Sequence, residues 1–170
     1  MRKYAMNIIL CGMMSSGKTT VGKALAARLS REWVDTDSEI ERVHGKITEI
    51  FEKHGEAYFR ALEEGVADTL SRKDELVVST GGGFFMSGRN AKLLKKNGKI
   101  IFLRAEMKTL KARLEGDNTR PLLQGKEPLG QKLNSLIKFR YPIYESVSDY
   151  ALDVDEKTVD EIVDEIMSTL

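Results

Sequence analysis

Short apolar runs alternate along the chain with longer stretches in which apolar residues recur every three or four positions. The short runs are typical of buried β-strands, and the longer stretches have the period of amphipathic helices. Strands that alternate with helices form a parallel sheet, which helices cover on both faces. The pattern therefore predicts a three-layer α/β/α fold with a five-stranded parallel sheet. The predicted strands span residues 6–11, 32–35, 76–79, 99–103 and 150–154.

Residues that start or end helices support the predicted helical stretches. Gly98 follows one stretch, in the place where a glycine commonly ends a helix. Thr158 can cap the last stretch, in which Val159, Ile162 and Ile166 share one face. The predicted helices span residues 18–29, 57–70, 88–96, 107–114, 130–146 and 159–170.

Two stretches interrupt the simple alternation of strands and helices. Residues 38–55 are predicted to form two short helices around Gly45 and Gly55, and with the residues up to about 62 they make a helical insert that we expect to bind substrate. Residues 115–128 form a long polar loop with a glycine near each end. Loops of this length in compact domains often serve as lids, although a solvated connection between two helices is the alternative.

Length and composition predict one globular domain over residues 1–170. The chain is 41% hydrophobic and 31% charged, which suits a buried core with a solvated surface. A net charge of +1 creates no field that would attract nucleic acid. We also expect a monomer, because neither a heptad repeat nor a large apolar patch is evident.

The single cysteine, Cys11, excludes an internal disulfide framework and a cysteine-rich zinc site. His44 and His54 lie far from it in the chain and are expected to be structural. The apolar run after Arg2 and Lys3 is too short for a signal peptide, and no run of about 18 apolar residues could span a bilayer. These features predict a cytoplasmic protein that does not enter the membrane.

A phosphate-binding motif, Gly12-x-x-x-x-Gly17-Lys18-Thr19, joins the first predicted strand to the first predicted helix. The glycines let the backbone approach a phosphate group closely, and the helix N-terminus adds its positive dipole end. Lys18 is expected to reach the β- and γ-phosphates of ATP, and the Thr19 hydroxyl to bind Mg²⁺. The expected ATP-binding residues here are Gly12, Met13, Met14, Ser15, Ser16, Gly17, Lys18, Thr19 and Thr20.

Two further motifs follow the second and third predicted strands. Asp35-Thr36-Asp37 places two carboxylates where one can approach the metal and the other an acceptor hydroxyl. A structural interpretation is equally open, with Asp37 as a helix cap or Thr36 as the start of a capping box that includes Glu39. Ser79-Thr80-Gly81-Gly82-Gly83 favours a ligand lying against bare backbone at the end of a strand, and a flexible connection is the alternative.

Taken in order, these motifs resemble those of the shikimate kinases, a P-loop family related to the nucleoside monophosphate kinases. The resemblance extends over nearly the whole chain. Further motifs that carry it are Phe59-Arg60 with Glu63, Thr119-Arg120-Pro121-Leu122-Leu123, and Arg140-x-x-x-Tyr144.

The resemblance implies ATP- and Mg²⁺-dependent transfer of a phosphoryl group to the 3-hydroxyl of shikimate, in aromatic amino acid biosynthesis. It places Asp37 beside the attacking hydroxyl, and Arg60 and Arg140 around the carboxylate, to which a guanidinium offers two parallel donors. It assigns Lys18 and Arg120 to catalysis, with Arg120 on the lid. The residues that it implies for shikimate binding are Asp37, Arg60, Gly81, Gly82, Gly83 and Arg140.

The resemblance also implies that Asp35 approaches Mg²⁺ through water and that Arg113 stacks on adenine. One position departs from the family, which usually has glycine where this chain has Ser15. We expect the backbone at Ser15 to adopt a right-handed helical or extended conformation that a side chain tolerates. If the position instead requires a positive φ, the serine costs stability or shifts the phosphates.

Two other functions fit parts of the pattern. A gluconate or nucleotide kinase would share the phosphate-binding motif, but neither accounts for Asp37, Arg60 and Arg140 together with the three glycines. A P-loop switch module would hydrolyse ATP without an acceptor.

Overall fold

The computed structural model describes residues 5–115, 117 and 123–170. Five strands form one parallel sheet in the order β2-β3-β1-β4-β5, as the alternation predicts. The central strand β1 is buried along its whole length because strands flank it on both sides and helices cover its faces. The strands are β1 (Asn7–Cys11), β2 (Glu32–Asp35), β3 (Leu76–Ser79), β4 (Gly98–Arg104) and β5 (Tyr150–Asp153).

Helices lie on both sides of this sheet. Helix α1 contacts β1, β2 and β3 and packs against α8, while α5 and α7 contact β4. The helices are α1 (Lys18–Leu29), α2 (Thr36–His44), α3 (Ile47–His54), α4 (Glu56–Leu70), α5 (Gly88–Leu94), α6 (Met107–Leu114), α7 (Leu129–Val147) and α8 (Val159–Thr169). The predicted helices are therefore present, with ends that differ by up to two residues.

The helical insert forms as two short helices, α2 and α3, followed by the longer α4. Gly45 and Gly55 end the short helices at φ values of 86° and 82°, which glycine adopts without steric cost. Ile40, Ile50 and Phe59 make a small separate core that packs these three helices together. A 3₁₀ turn at Phe84–Met86, after the three glycines, was not predicted.

The carboxyl ends of β1, β2 and β3 lie side by side, because Leu10 pairs with Ser79 and Ser79 pairs with Asp35. This register brings the ends of the three motif-bearing strands to one edge of the sheet. In the described part of the chain, no helix has both the length and the apolar character that a bilayer crossing requires.

Candidate active site

The phosphate-binding loop turns between β1 and α1 through two glycines with positive φ. Gly12 and Gly17 have φ values of 151° and 102°. A Cβ atom at Gly12 would also lie 2.6 Å from the Leu103 carbonyl oxygen, so the loop packs directly on β4. The Lys18 ammonium is almost buried and donates to the carbonyl oxygens of Gly12 and Met13 at 2.8 and 2.7 Å. Lys18 is thus held across the loop.

The backbone of Ser15 has neither of the two expected conformations. Its φ is 60°, in the left-handed region, which costs a residue with a side chain roughly 1–2 kcal/mol. Arg113 Nη1 donates to the Ser15 carbonyl oxygen at 2.9 Å, and this bond supports the strained conformation from α6.

A cleft of about 420 Å³ opens over the loop. Met14, Ser15, Ser16, Gly17, Lys18, Thr19 and Thr20 line it, together with Asp35, Asp37 and Arg113. Gly12 and Met13 do not line it, and the Met13 side chain is fully buried in the core. Sequence reasoning missed Lys157, Val159 and Ile162, which also line this cleft. Their position after β5 was the available signal, because ligands lie at the carboxyl ends of parallel strands.

Asp35-Thr36-Asp37 starts helix α2, and the structure decides which residue caps it. Asp35 is the cap, with its side chain accepting a 2.9 Å hydrogen bond from the Ser38 N–H. Asp37 is therefore not the cap, and Thr36 does not start a capping box. Thr36 is fully buried, and its hydroxyl oxygen accepts from the Gly81 N–H at 2.9 Å. Asp37 lies in the wall shared by the first cleft and a second one.

The second cleft, of about 720 Å³, adjoins the first over the three glycines. A Cβ atom added to any of these glycines would meet a charged side chain. At Gly81 it would lie 2.5 Å from Asp37 Oδ1, and at Gly82 it would lie 2.9 Å from Arg140 Nη1. At Gly83 it would lie 2.4 Å from both Nη1 and Nη2 of Arg60. The glycines therefore leave room for three charged groups that press against the backbone. This close packing contradicts the alternative of a flexible connection.

Arg60 and Arg140 both line the second cleft, but their surroundings differ. Arg60 Nη1 donates to Glu63 Oε2 at 2.7 Å, and Arg60 Nη2 donates to Glu56 Oε1 at 3.0 Å. Arg140 is only 3% exposed, and within the described residues its buried Nε and Nη1 atoms have no hydrogen-bond partner. A buried guanidinium with unsatisfied donors is suited to hold an anion such as a carboxylate.

Glu63, which lines the second cleft, has a strongly shifted pKa. Burial raises the pKa of Glu63 to about 7, Arg60 opposes the rise, and the negative charge of Asp37 adds to it. Tyr144, one turn after Arg140, is buried and donates from its hydroxyl to the Gly82 carbonyl oxygen. Burial also raises the pKa of Tyr144, so its hydroxyl keeps its proton and remains a donor.

The donor set suits Mg²⁺ bound together with a nucleotide. Thr19 and Asp35 place a hydroxyl and a carboxylate in the first cleft, and Mg²⁺ prefers a few such hard oxygen ligands beside phosphates and water. Over residues 5–115, 117 and 123–170, no group of three or more His, Cys, Asp or Glu side chains could hold a metal alone. Arg120 lies outside the described residues.

A phosphate-binding loop beside a second, arginine-lined cleft defines a P-loop phosphotransferase. A family model described as shikimate kinase matches residues 14–170. The chain belongs to the shikimate kinase family, whose members use ATP and Mg²⁺.

Individual relatives agree with this assignment. The chain is 42% identical over 166 residues to a shikimate kinase of Caldicellulosiruptor bescii, covering 95% of this chain and 94% of the relative. It is similar to the solved structure of an Acinetobacter baumannii shikimate kinase in complex with shikimate, with a TM-score of 0.92, 39% identity, and 97% and 92% of the two chains covered. The Aquifex aeolicus shikimate kinase matches with a TM-score of 0.83, 38% identity, and 96% and 95% coverage.

Proposed function

We propose that the protein transfers the γ-phosphoryl group of ATP to the 3-hydroxyl of shikimate, giving shikimate 3-phosphate and ADP. The observation that carries the proposal is the packing of Asp37, Arg140 and Arg60 against the glycines at 81–83, beside the phosphate-binding loop. This arrangement offers a small acceptor one carboxylate for its hydroxyl and two guanidinium groups for its own carboxylate. It also holds the acceptor next to the nucleotide cleft, as in-line transfer requires.

We assign Arg60, Arg140 and the backbone of residues 81–83 to shikimate binding. Asp37 orients the attacking hydroxyl and takes its proton as the new bond to phosphorus forms and the bond to ADP breaks. Because the transition state for phosphoryl transfer is loose, the position of Asp37 matters more than a raised pKa.

We assign Lys18 to the β- and γ-phosphate oxygens, which it can reach from its place across the loop. Thr19 and Asp35 would hold Mg²⁺, and the ion would neutralise negative charge on the phosphate oxygens. Arg113 would contact adenine at the outer end of the first cleft. Arg120 would add positive charge to the transferring group, as implied by its family position.

The proposal includes a monomer that works in the cytoplasm. The single, buried Cys11 and the nearly balanced charge support it, because neither requires an oxidising compartment or a charged partner. Light scattering coupled to size-exclusion chromatography would give the mass of one chain, and a mass of two chains would contradict the monomer.

A coupled assay of ADP release tests the reaction. The assay is run with shikimate, with gluconate, with each nucleoside monophosphate and without an acceptor. We expect ADP release to depend on shikimate, with production of one shikimate 3-phosphate for each ADP. ADP release that is equal with and without shikimate would contradict the proposal and favour a P-loop switch module, and release with gluconate or a nucleotide would identify a different kinase.

A further inference from the structure

The guanidinium of Arg60 already has a glutamate carboxyl group on each terminal nitrogen before any substrate binds. Nη1 donates to Glu63 Oε2 at 2.7 Å, and Nη2 donates to Glu56 Oε1 at 3.0 Å. The two carboxylates differ in environment, because the Glu56 side chain is 54% exposed and the Glu63 side chain is 1% exposed. A shikimate carboxylate that binds Arg60 therefore brings a third carboxyl group, and a further negative charge, to this guanidinium.

Of the two glutamates on Arg60, only Glu56 can move away from the added negative charge. Glu56 lies at the surface, where water solvates it once it leaves Arg60. Glu63 lies on the buried face of α4, and its Oε1 atom is buried without a hydrogen-bond partner within the described residues. When negative charge accumulates around a buried carboxylate that cannot move, binding a proton lowers its energy.

The charged groups that act on Glu63 come from three elements. Arg60 lies on the same helix, α4, Asp37 comes from α2, and Arg140 comes from α7. The two arginines balance two of the resident negative charges, but the substrate carboxylate shifts the balance toward negative charge.

We infer that Glu63 is a proton-binding residue of the acceptor site, and that it becomes neutral when the carboxylate of shikimate binds to Arg60 and Arg140. The inference rests on the proposed function. The neutral carboxyl group keeps Oε2 as an acceptor for Arg60 and carries the proton on its other oxygen, which removes a buried negative charge from the site. Binding of shikimate then takes up a proton from solvent.

The size of the effect follows from linkage. With a pKa of about 7, Glu63 is roughly half ionised in the free protein at neutral pH. If the bound substrate raises this pKa by about one unit, uptake reaches about half a proton near pH 7.5. The neutral form binds better, so affinity falls as the pH rises through the pKa of the free protein. The loss approaches about tenfold at pH 9 for each unit of pKa change.

Isothermal titration calorimetry measures the uptake directly. Shikimate is titrated into the protein without nucleotide at pH 7.5, in several buffers whose ionisation enthalpies differ. The slope of the observed enthalpy against the ionisation enthalpy gives the number of protons taken up. We expect a fractional uptake in the wild-type protein and none in Glu63→Gln, which keeps the size and the acceptor oxygen but does not ionise.

Two controls separate Glu63 from other groups that titrate nearby. Glu56→Gln should keep the proton uptake, because the exposed Glu56 can leave Arg60 for water and does not need to bind a proton. His44→Asn combined with His54→Asn should also keep it, since both histidines are exposed. Shikimate binding without uptake in the wild-type protein, or uptake that persists in Glu63→Gln, would overturn the inference alone. Absence of shikimate binding would overturn both the inference and the proposed function.

Discussion

The hydroxyl oxygen of Thr36 accepts a 2.9 Å hydrogen bond from the backbone N–H of Gly81. This bond joins the start of α2 to the turn after β3, so that Asp37 is carried to the surface of the three glycines. It explains why a threonine stands between two carboxylates that both face the clefts.

Thr36→Val tests this connection, because valine has nearly the same shape and no acceptor. The Gly81 N–H would lose its partner in a part-buried place, and we expect shikimate affinity to fall about tenfold. Thr36→Ser keeps the hydroxyl and should bind shikimate nearly as well as the wild-type protein. Calorimetry on both variants checks this, and equal affinity for valine and serine would show that the bond does not position the site.

Arg60→Lys and Arg140→Lys should each weaken shikimate binding by about tenfold or more, with ATP binding nearly unchanged. Lysine keeps the positive charge but loses the planar pair of donors that fits a carboxylate. Separate titrations with shikimate and with ATP check that only shikimate binding is weakened. Arg72→Lys is the matched control, since Arg72 is exposed in the turn after α4 and pairs with Asp68. Unchanged shikimate affinity would remove the arginine concerned from the site.

Gly83→Ala should impair shikimate binding while the protein stays folded. The added Cβ atom would lie 2.4 Å from both terminal nitrogens of Arg60, and this long side chain can move aside without disturbing the core. Arg60 would then leave its binding position. Gly88→Ala is the control, because nothing lies within 4 Å of a Cβ atom there. Thermal unfolding and shikimate titration are measured for both, and normal shikimate binding by Gly83→Ala would contradict the assigned position of Arg60.

Arg120→Ala should lower kcat by about 10³-fold or more, with a much smaller change in the Kd for shikimate. The reason is that an arginine acting on the transferring phosphoryl group contributes chiefly in the transition state. Lys126→Ala, an exposed position in the same loop, should leave kcat unchanged. A kcat within a few-fold of wild type for Arg120→Ala would refute the catalytic role. A loss confined to Kd would place Arg120 in ground-state binding instead.

Ser15→Gly should not destabilise the protein, and it should raise the free energy of unfolding by up to about 1 kcal/mol. Glycine removes the strain at φ 60°, and its larger backbone entropy in the unfolded chain offsets part of the gain. Ser71→Gly is the comparison, because Ser71 has a helical φ of −64° and should lose stability. Urea unfolding of the two variants checks the contrast, and equal losses would show that Ser15 carries no strain.

Local sequence patterns were enough to predict the five strands and the helices and to locate the phosphate-binding loop. Strand and helix periods are local properties, and the motif from Gly12 to Thr19 contains in one stretch the loop, lysine and hydroxyl that we expect to bind a nucleotide with its metal. Arg60 and Arg140 were identified by resemblance, whereas Asp37 was one of two carboxylates in a motif that was equally open to a structural interpretation. The roles of all three residues stay predictions. Their distances could not be read from local patterns, since they come from three separate helices.

The spatial arrangement of Asp37, Arg60 and Arg140 depends on the tertiary structure. The register of the parallel strands places the ends of β2 and β3 together, and this permits the bond between Thr36 and Gly81. Lys157 reached the first cleft for the same reason, from the end of the distant strand β5. The left-handed backbone of Ser15 and the raised pKa of Glu63 likewise depend on surroundings that the packed chain supplies, since strain and desolvation arise from neighbours distant in sequence.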